Sequence, residues 1–144
     1  MSILGIDYGA KKIGLAKSDE QNKFALPLEI IRSDDRTEIL NRLRTVCERE
    51  NIESIVIGVP ISLKAENRDE FGRQLDLQNK QMQTVLNFVE WLKLNLGLPV
   101  EIEDERLTSK LAGAMLKGKM KKMPDDAVAA MLILQGYLDR NLKS

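Results

Sequence analysis

Apolar positions alternate with polar or small ones through the first third of the chain. Residues 2–8 form a short apolar run that ends at Gly9-Ala10, and residues 12–18 resume the alternation. This pattern predicts two strands that pair antiparallel across a tight turn. A third run, Phe24 to Ile31, contains Pro27, which predicts a strand at the edge of the sheet because proline cannot donate a hydrogen bond to a neighbour.

The spacing then becomes helical. Ser33, Asp34 and Asp35 are candidate N-caps, and an apolar stripe continues from there to Cys47. The position of Cys47 on the stripe predicts a buried thiol rather than a reactive one. Ile52 to Val59 is a continuous β-branched run, which is typical of a strand buried on both faces of a partly parallel sheet.

Helical segments dominate the second half of the chain. Ser62 to Gln81 is almost entirely polar, which predicts a long surface excursion or the frayed start of a helix. The other predicted elements are an amphipathic helix over Met82–Leu96, a strand over Val100–Glu105, a helix opening at Leu107 or Thr108, a basic loop over Gly118–Pro124, and a helix from Asp125 to about Asn141. Five strands and four helices in this order predict one α/β domain over residues 1–144 with a mixed sheet.

Composition narrows the chemistry. The chain has 144 residues, 43% of them hydrophobic, which is enough for one core. Its 22 Lys+Arg and 22 Asp+Glu cancel, so any nucleic-acid binding must come from a local patch. The chain has no histidine and one cysteine, which excludes Ser-His and Cys-His catalysis and any disulfide within the chain. Catalysis would therefore rest on carboxylates, lysines, hydroxyls or a bound metal ion.

The N-terminal segment also bears on location. Asp7 interrupts the first apolar run too early for a secretory h-region. The longest apolar run, Ala127 to Leu134, is much shorter than the roughly 18 residues of a membrane span. We therefore expect a cytoplasmic protein without a membrane partner.

Three carboxylates occupy unusual positions. Asp7 lies inside an otherwise apolar strand, where a buried carboxylate is costly, although the following turn could satisfy it. Glu105 stands where the chain leaves the last predicted strand. The simpler interpretation of Glu105 is a solvated acid, since it belongs to the acidic run from Glu101 to Glu105. Asp126 is one helical turn before Ala130, on the stripe of the last helix that should face the core. Because Asp125 can already cap this helix, capping does not explain Asp126.

These three acids could share one site. Strand ends and a helix N-terminus can meet, and carboxylates brought together repel one another unless a cation lies between them. Mg²⁺ or Mn²⁺ fits, because both are bound by oxygen ligands alone. Two such ions can promote phosphodiester hydrolysis. The sequence thus predicts that Asp7, Glu105 and Asp126 are metal-binding and catalytic residues.

Positive charge is concentrated near the predicted acids. No acidic residue lies between Arg106 and Pro124, and Lys11 and Lys12 extend the basic character toward Asp7. Such a patch can hold phosphates, although a solvated lysine face explains it too. Because aromatic residues are scarce, recognition of the backbone or of duplex shape is favoured over base stacking. The candidate nucleic-acid contacts of the patch are Lys11, Lys12, Arg106, Lys110, Lys117, Lys119, Lys121 and Lys122.

Several blocks together resemble a known family, the YqgF (RuvX) family of RNase H-like proteins. The blocks are Gly5-Ile6-Asp7-Tyr8-Gly9, Ile13-Gly14-Leu15-Ala16, Ile55 to Pro60, Asp104-Glu105-Arg106-Leu107-Thr108-Ser109, and Asp126 with Ala129-Ala130 and Ile133 to Asp139. The resemblance implies an RNase H-like fold, a five-stranded mixed sheet with helices on both faces, related to RuvC Holliday-junction resolvases. It also implies a bacterial cytoplasmic nuclease that matures the 5′ end of precursor 16S ribosomal RNA, with the metal-binding acids at Asp7, Glu105 and Asp126.

The chain departs from the family pattern at two places. Lys12 stands where the family usually has arginine, a mild change for a phosphate contact. After Pro60 the family's short Asn- and Gly-containing loop is replaced by residues 61–67, and Phe71-Gly72-Arg73-Gln74 is the nearest equivalent of the stretch that follows it. Arg73 is therefore a further candidate for nucleic-acid binding.

Alternative functions remain at this stage. A non-catalytic RNA-binding or ribosome-binding protein could use the acids to hold a structural ion, and a Holliday-junction-type DNA resolvase could use the same site. The strand-turn at Asp7 also resembles the phosphate loop of actin-like ATPases, but 144 residues leave no room for the second half of such an enzyme. Expected partners are precursor rRNA or branched DNA, with ribosomal precursor particles as a further candidate, and the chain is expected to be a monomer or a homodimer.

Overall fold

The computed structural model describes residues 2–9, 11–59, 68–104 and 125–141, and for residues 68–79, 81, 104, 125 and 126 it describes the backbone alone. The strands are β1 (Ser2–Tyr8), β2 (Lys12–Ser18), β3 (Ala25–Arg32), β4 (Ile52–Val59) and β5 (Val100–Asp104). The helices of the described ranges are α1 (Arg36–Arg49), α2 (Arg68–Leu96) and α3 (Asp125–Asn141). The predicted helix at Leu107 or Thr108 and the predicted basic loop over Gly118–Pro124 lie outside these ranges.

The strands form one mixed sheet in the order β3-β2-β1-β4-β5. The first three strands pair antiparallel, whereas β1 pairs parallel with β4, and β4 pairs parallel with β5. The antiparallel β1–β2 hairpin and the edge position of the Pro27-containing strand are confirmed. The final strand is described to Asp104, one residue short of its predicted end at Glu105.

Helices cover both faces of the sheet, as the family resemblance implies. Alternate residues of each strand point to opposite faces, so Leu4 and Ile6 of β1 join one buried cluster and Ile3 joins another. The first cluster contains apolar residues of α1 and α2 and the second contains those of α3. We refer to these two sides of the sheet as the α1/α2 face and the α3 face.

Local sequence explains the start of α1. Asp35 is the N-cap, and its side chain accepts a hydrogen bond from the backbone N–H of Thr37. The buried residues Ile39, Leu43 and Val46 follow at helical spacing. Of the three candidate caps, the structure selects Asp35.

The second helix is longer than its apolar pattern indicates. It begins at Arg68, fourteen residues before Met82, so the second of the two alternatives predicted for the polar segment, the start of a helix, is confirmed over residues 68–81. Gln, Glu, Arg and Leu are good helix formers, and residues 68–81 contain no proline. A helix without an apolar stripe has no periodic signal, which is why the sequence pattern places its start too late.

The length of α2 raises the question of a membrane span. No helix in the described part of the chain is both long enough and apolar enough to cross a membrane.

Candidate active site

The carboxyl ends of three parallel strands meet at one edge of the sheet. Tyr8 ends β1, Val59 ends β4 and Asp104 ends β5, and Val59 is the register partner of Asp104. We refer to the edge formed by Tyr8, Val59 and Asp104 as the carboxyl edge. Ligands of open α/β sheets commonly bind outside the carboxyl ends of such strands.

Asp7 lies at this edge, on the α3 face. The Gly5 Cα points toward α3, because a Cβ added there would lie 2.8 Å from the Cβ of Leu134. Residues two apart on a strand share a face, so the side chain of Asp7 also lies on the α3 face. The residue is half-buried and pairs with Gly14 of β2.

Glycines stand on both sides of Asp7. Gly14 is its register partner on β2. The register between β1 and β4 pairs Ile6 with Ile57, and continuing it by one residue places Gly58 beside Asp7. Neighbouring strands lie about 5 Å apart, so the carboxylate has no side chain next to it on either adjacent strand at its own level. Asp7 is therefore flanked by glycine on both neighbouring strands.

Helix α3 lies close to the same strand, at Ala130 and Leu134. The carbonyl oxygen of Ala130 would be 3.0 Å from a Cβ on Gly5, so strand and helix approach as closely as glycine allows. Asp126 is the second residue of α3, one turn or about 6 Å before Ala130 along the helix. Asp7 is two residues, about 7 Å, beyond Gly5 along the strand. Both acids therefore lie within a few residues of one helix-strand contact, on the same side of the sheet.

The third predicted acid is not described. Glu105 lies outside the described residues, directly after Asp104 at the carboxyl edge, and for Asp126 only the backbone is described. Among the side chains that the structure does describe, no group of three or more His, Cys, Asp or Glu could hold a metal ion. The three-carboxylate site thus stays a prediction. What the fold contributes to this prediction is a half-buried carboxylate, Asp7, between two glycines, and carboxylate oxygens are ligands of the kind that Mg²⁺ or Mn²⁺ prefers.

Some of the predicted nucleic-acid contacts lie in the described part of the chain and others do not. Lys11, in the turn between β1 and β2, and Lys12, the first residue of β2, are exposed and lie at the carboxyl edge. Gly9 makes that turn tight, since a Cβ there would be 2.7 Å from the carbonyl oxygen of Lys12. Arg73 lies on α2, where only its backbone is described. The remaining candidates lie outside the described residues: Arg106, Lys110, Lys117, Lys119, Lys121 and Lys122.

An ion pair with a buried carboxylate near the carboxyl edge was missed by sequence reasoning. Glu103 is 1% exposed, whereas the acidic run around it predicts solvated side chains. Its Oε2 accepts a hydrogen bond from the guanidinium of Arg140, in the last turn of α3. Glu103 pairs with Gly58, so it lies in the same row of the sheet as Asp7, two strands away. Its burial cannot be seen in the strand pattern, because the apolar Ile102 beside it is the exposed residue.

The same acidic environment acts on Tyr137 of α3. Burial raises the pKa of the Tyr137 hydroxyl to about 12, and a hydrogen bond to Glu101 and the negative charges of Glu101 and Glu103 act in the same direction. Tyr137 and Arg140 thus connect the end of α3 to β5. Because the strand leads directly to residue 105, this connection fixes the strand from which the third predicted acid continues.

Comparison with known proteins identifies the family. A family model described as "RuvX: Holliday junction resolvase" matches residues 1–140. The chain belongs to the RuvX family. A relative from Rickettsia bellii named "Putative pre-16S rRNA nuclease" is 36% identical over 142 residues, which cover 95% of this chain and 85% of the relative. A relative of the same name from Rickettsia typhi is also 36% identical, with coverage of 95% and 84%.

Solved structures confirm the fold of this RuvX-family chain. RuvC of Thermus thermophilus in complex with Holliday junction substrate matches with a TM-score of 0.63 and 16% identity, covering 99% of this chain and 96% of that chain. The Fowlpox virus resolvase in complex with Holliday junction DNA matches with a TM-score of 0.53 and 12% identity, covering 99% of each chain. At these identities the likeness concerns the fold, and it confirms the RNase H-like sheet expected from sequence.

Proposed function

We propose that this RuvX-family protein is a nuclease that hydrolyses phosphodiester bonds in structured nucleic acid. Asp7, Glu105 and Asp126 would hold Mg²⁺ or Mn²⁺, and the substrate would be the 5′ region of precursor 16S ribosomal RNA. The names of the Rickettsia relatives support this substrate. The observation that carries the proposal is the position of Asp7, a strand carboxylate between two glycines, two residues from the contact of Gly5 with α3.

The bound cation would supply the positive charge that orients a water molecule and stabilises the leaving oxygen of the phosphodiester. The chain's own contribution is to hold the ligands in place. Asp7 is fixed by pairing with β2, its neighbour Ile6 pairs with β4, and the tight contact between Gly5 and Ala130 fixes α3 relative to the strand. Lys11 and Lys12 lie at the same edge and can contact substrate phosphates. Since the chain has no histidine, protons must pass to carboxylates, lysines or solvent.

The description of the family model favours a second candidate, a DNA resolvase that cleaves Holliday junctions. Both candidates use the same acids and differ in substrate. The test compares a labelled precursor-rRNA fragment with a four-way DNA junction, each with Mg²⁺, with Mn²⁺ and with EDTA. Preferential cleavage of the RNA supports the first candidate, and preferential cleavage of the junction supports the second.

Substitutions test whether cleavage depends on Asp7 and Asp126. Because loss of a partner outside the first ligand shell already costs roughly 10–100-fold, Asp7→Asn and Asp126→Asn should each lower cleavage by more than about 100-fold. Glu20→Gln is the matched control, since it removes one exposed carboxylate at the β2–β3 turn, the opposite end of the sheet. Equal cleavage by wild type and both Asn variants would reject this site. If the wild type binds the RNA without cleaving it, and Asp7→Asn binds with the same affinity, a non-catalytic RNA-binding protein is favoured.

A further inference from the structure

An aromatic stack lies directly under the carboxyl edge, on the α1/α2 face. Tyr8 follows Asp7 in the chain, and its ring stacks on Phe88 with centroids 4.1 Å apart. Phe88 in turn stacks on Trp91, with centroids 5.5 Å apart. Phe88 is fully buried, whereas Tyr8 and Trp91 are half-buried. These rings connect the end of β1 to α2 one residue away from the candidate metal ligand.

Arg36, the first residue of α1, covers this stack from the solvent side. Its guanidinium carbon lies 4.8 Å from the centroid of Trp91 and 5.4 Å from that of Phe88, within the range of a cation–π interaction. The residue is exposed. The rings therefore hold the guanidinium in place without neutralising its charge, and the exposed side chain keeps N–H donors that a phosphate can accept from.

Most other arginines of the described ranges are used differently. Arg42 and Arg49 pair with Glu29, and Arg140 pairs with Glu103. Arg36 makes no ion pair with any residue in the described part of the chain. Its aromatic support is the kind of arrangement that keeps a cation free for a ligand.

The acids nearest to Arg36 are mostly engaged elsewhere. Asp35 caps α1 through Thr37, and Glu38 accepts a hydrogen bond from the hydroxyl of Ser33. Asp34 is the remaining exposed acid of this connection. Local negative charge therefore reduces the positive potential at Arg36 but does not bind its guanidinium.

Arg36 follows β3 by four residues, at the same edge of the sheet as the lysines proposed to contact substrate. Lys12, the first residue of β2, is the register partner of Arg32, the last residue of β3, and both are exposed. Four positive side chains thus follow the same edge of the sheet from the β1–β2 turn to the start of α1. We name this set the basic rim, and it consists of Lys11, Lys12, Arg32 and Arg36.

We infer that Arg36, held over the rings of Trp91 and Phe88, binds the phosphate backbone of the nucleic-acid substrate, and that the basic rim extends the substrate path from Asp7 onto the α1/α2 face. This inference rests on the proposed function. It adds Arg36, on the α1/α2 face, to the predicted nucleic-acid contacts. The rings under Arg36 position the charge rather than stack on bases, because the innermost ring is buried.

The test measures how binding of the labelled precursor-rRNA fragment depends on salt, with EDTA present to prevent cleavage. Each phosphate contact contributes about 0.7–0.9 to the slope of log Kobs against log salt. Arg36→Met keeps the apolar cover of the rings but removes the charge, so the slope should become shallower by about that amount. Arg36→Lys keeps the charge and should retain the slope. Arg44→Met is the matched control, because Arg44 is an exposed arginine of the same helix that bonds the carbonyl of Asn95, away from the edge.

Trp91 provides an independent signal, since it is the only tryptophan of the chain. Its emission should change with RNA concentration at the same midpoint as the anisotropy of the labelled RNA, and this change should be lost in Arg36→Met. Equal salt slopes for wild type and Arg36→Met, with RNA binding retained, would overturn this inference and leave the proposed function standing. No binding of RNA or junction by the wild type would overturn both.

Discussion

Gly5→Ala tests whether the close contact between β1 and α3 is what aligns the site. The added Cβ would lie 2.8 Å from the Cβ of Leu134 and 3.0 Å from the carbonyl oxygen of Ala130. Leu134 and Ala130 are fully buried, and neither clashing atom is the end of a flexible side chain. The helix must therefore move away from the strand.

The cost can be worked out from two opposing effects. Overpacking of this kind costs about 1–3 kcal/mol, whereas replacing glycine by alanine in a strand regains roughly 0.5–1 kcal/mol of backbone entropy. The net loss of folding free energy should be about 1–2 kcal/mol, or roughly 3 °C in Tm per kcal/mol for a chain of this length. Because α3 also carries Asp126, and a misplacement of about 1 Å can cost on the order of 100-fold in rate, activity should fall much more than stability.

Gly97→Ala is the matched control for the assay. Gly97 has φ of 68° and nothing within 4 Å of an added Cβ, so alanine there is strained by about 1–2 kcal/mol without a clash. Both variants are compared by thermal unfolding and by cleavage of the precursor-rRNA fragment at a temperature where both are folded. If Gly5→Ala lost no more activity than Gly97→Ala, the contact between Gly5 and α3 would not align the site.

Two further predictions concern groups outside the site. Arg140→Met leaves the carboxylate of Glu103 buried without the guanidinium of Arg140, so the free energy of unfolding in urea should fall by about 1–3 kcal/mol. Adding Glu103→Gln should recover part of this loss. An unchanged free energy of unfolding in Arg140→Met would show that the ion pair does not contribute to stability. Burial, and then the charge of Glu48, raise the pKa of the Cys47 thiol from 9.0 to about 11, so a thiol reagent at pH 8 should label the folded chain far more slowly than the unfolded one. Because the thiol pKa is higher in the folded chain than in the unfolded one, its contribution to the free energy of unfolding is fully present below pH 9 and is lost as the pH rises toward 11. Cys47→Ala should therefore weaken the loss of stability at alkaline pH, and an unchanged loss would refute this prediction.

Sequence patterns were sufficient for the sheet because its strands have clear alternation and clear breaks. The residue ranges of β1, β2 and β4 agree with the predicted ones, and Asp35 caps α1 as one of three candidates. The start of α2 could not be found in the same way. Its first turns have no apolar stripe, so only helix propensity indicates a helix there, and propensity alone does not separate a helix from a polar loop.

The site was only partly predictable for a different reason. Asp7 stands out in sequence because an acid inside an apolar strand is unusual. Gly14 and Gly58 do not stand out, since they become neighbours of Asp7 only through the pairing of three strands. Glu103 also depends on pairing and on the reach of Arg140 from the far end of the chain. Alternation within one strand cannot supply this information.

The aromatic support of Arg36 could not be predicted from composition either. Aromatic residues make up 4% of the chain, which predicts recognition of nucleic acid without ring stacking. The fold nevertheless collects Tyr8, Phe88 and Trp91 into one stack beside the carboxyl edge. Composition gives the number of rings, and only the packing of β1 against α2 determines that three of them share one place.

The two faces of the sheet divide structural and chemical roles. On the α1/α2 face the strands contribute large apolar residues such as Leu4, Ile6 and Ile57, which fill the main core. On the α3 face the central strands contribute small residues around Gly5 and Ala16. Small residues allow α3 to approach β1 closely, as the contact of Gly5 with Ala130 and Leu134 shows. The same sequence feature therefore brings α3 against the strand that carries Asp7, which large residues at these positions could not do.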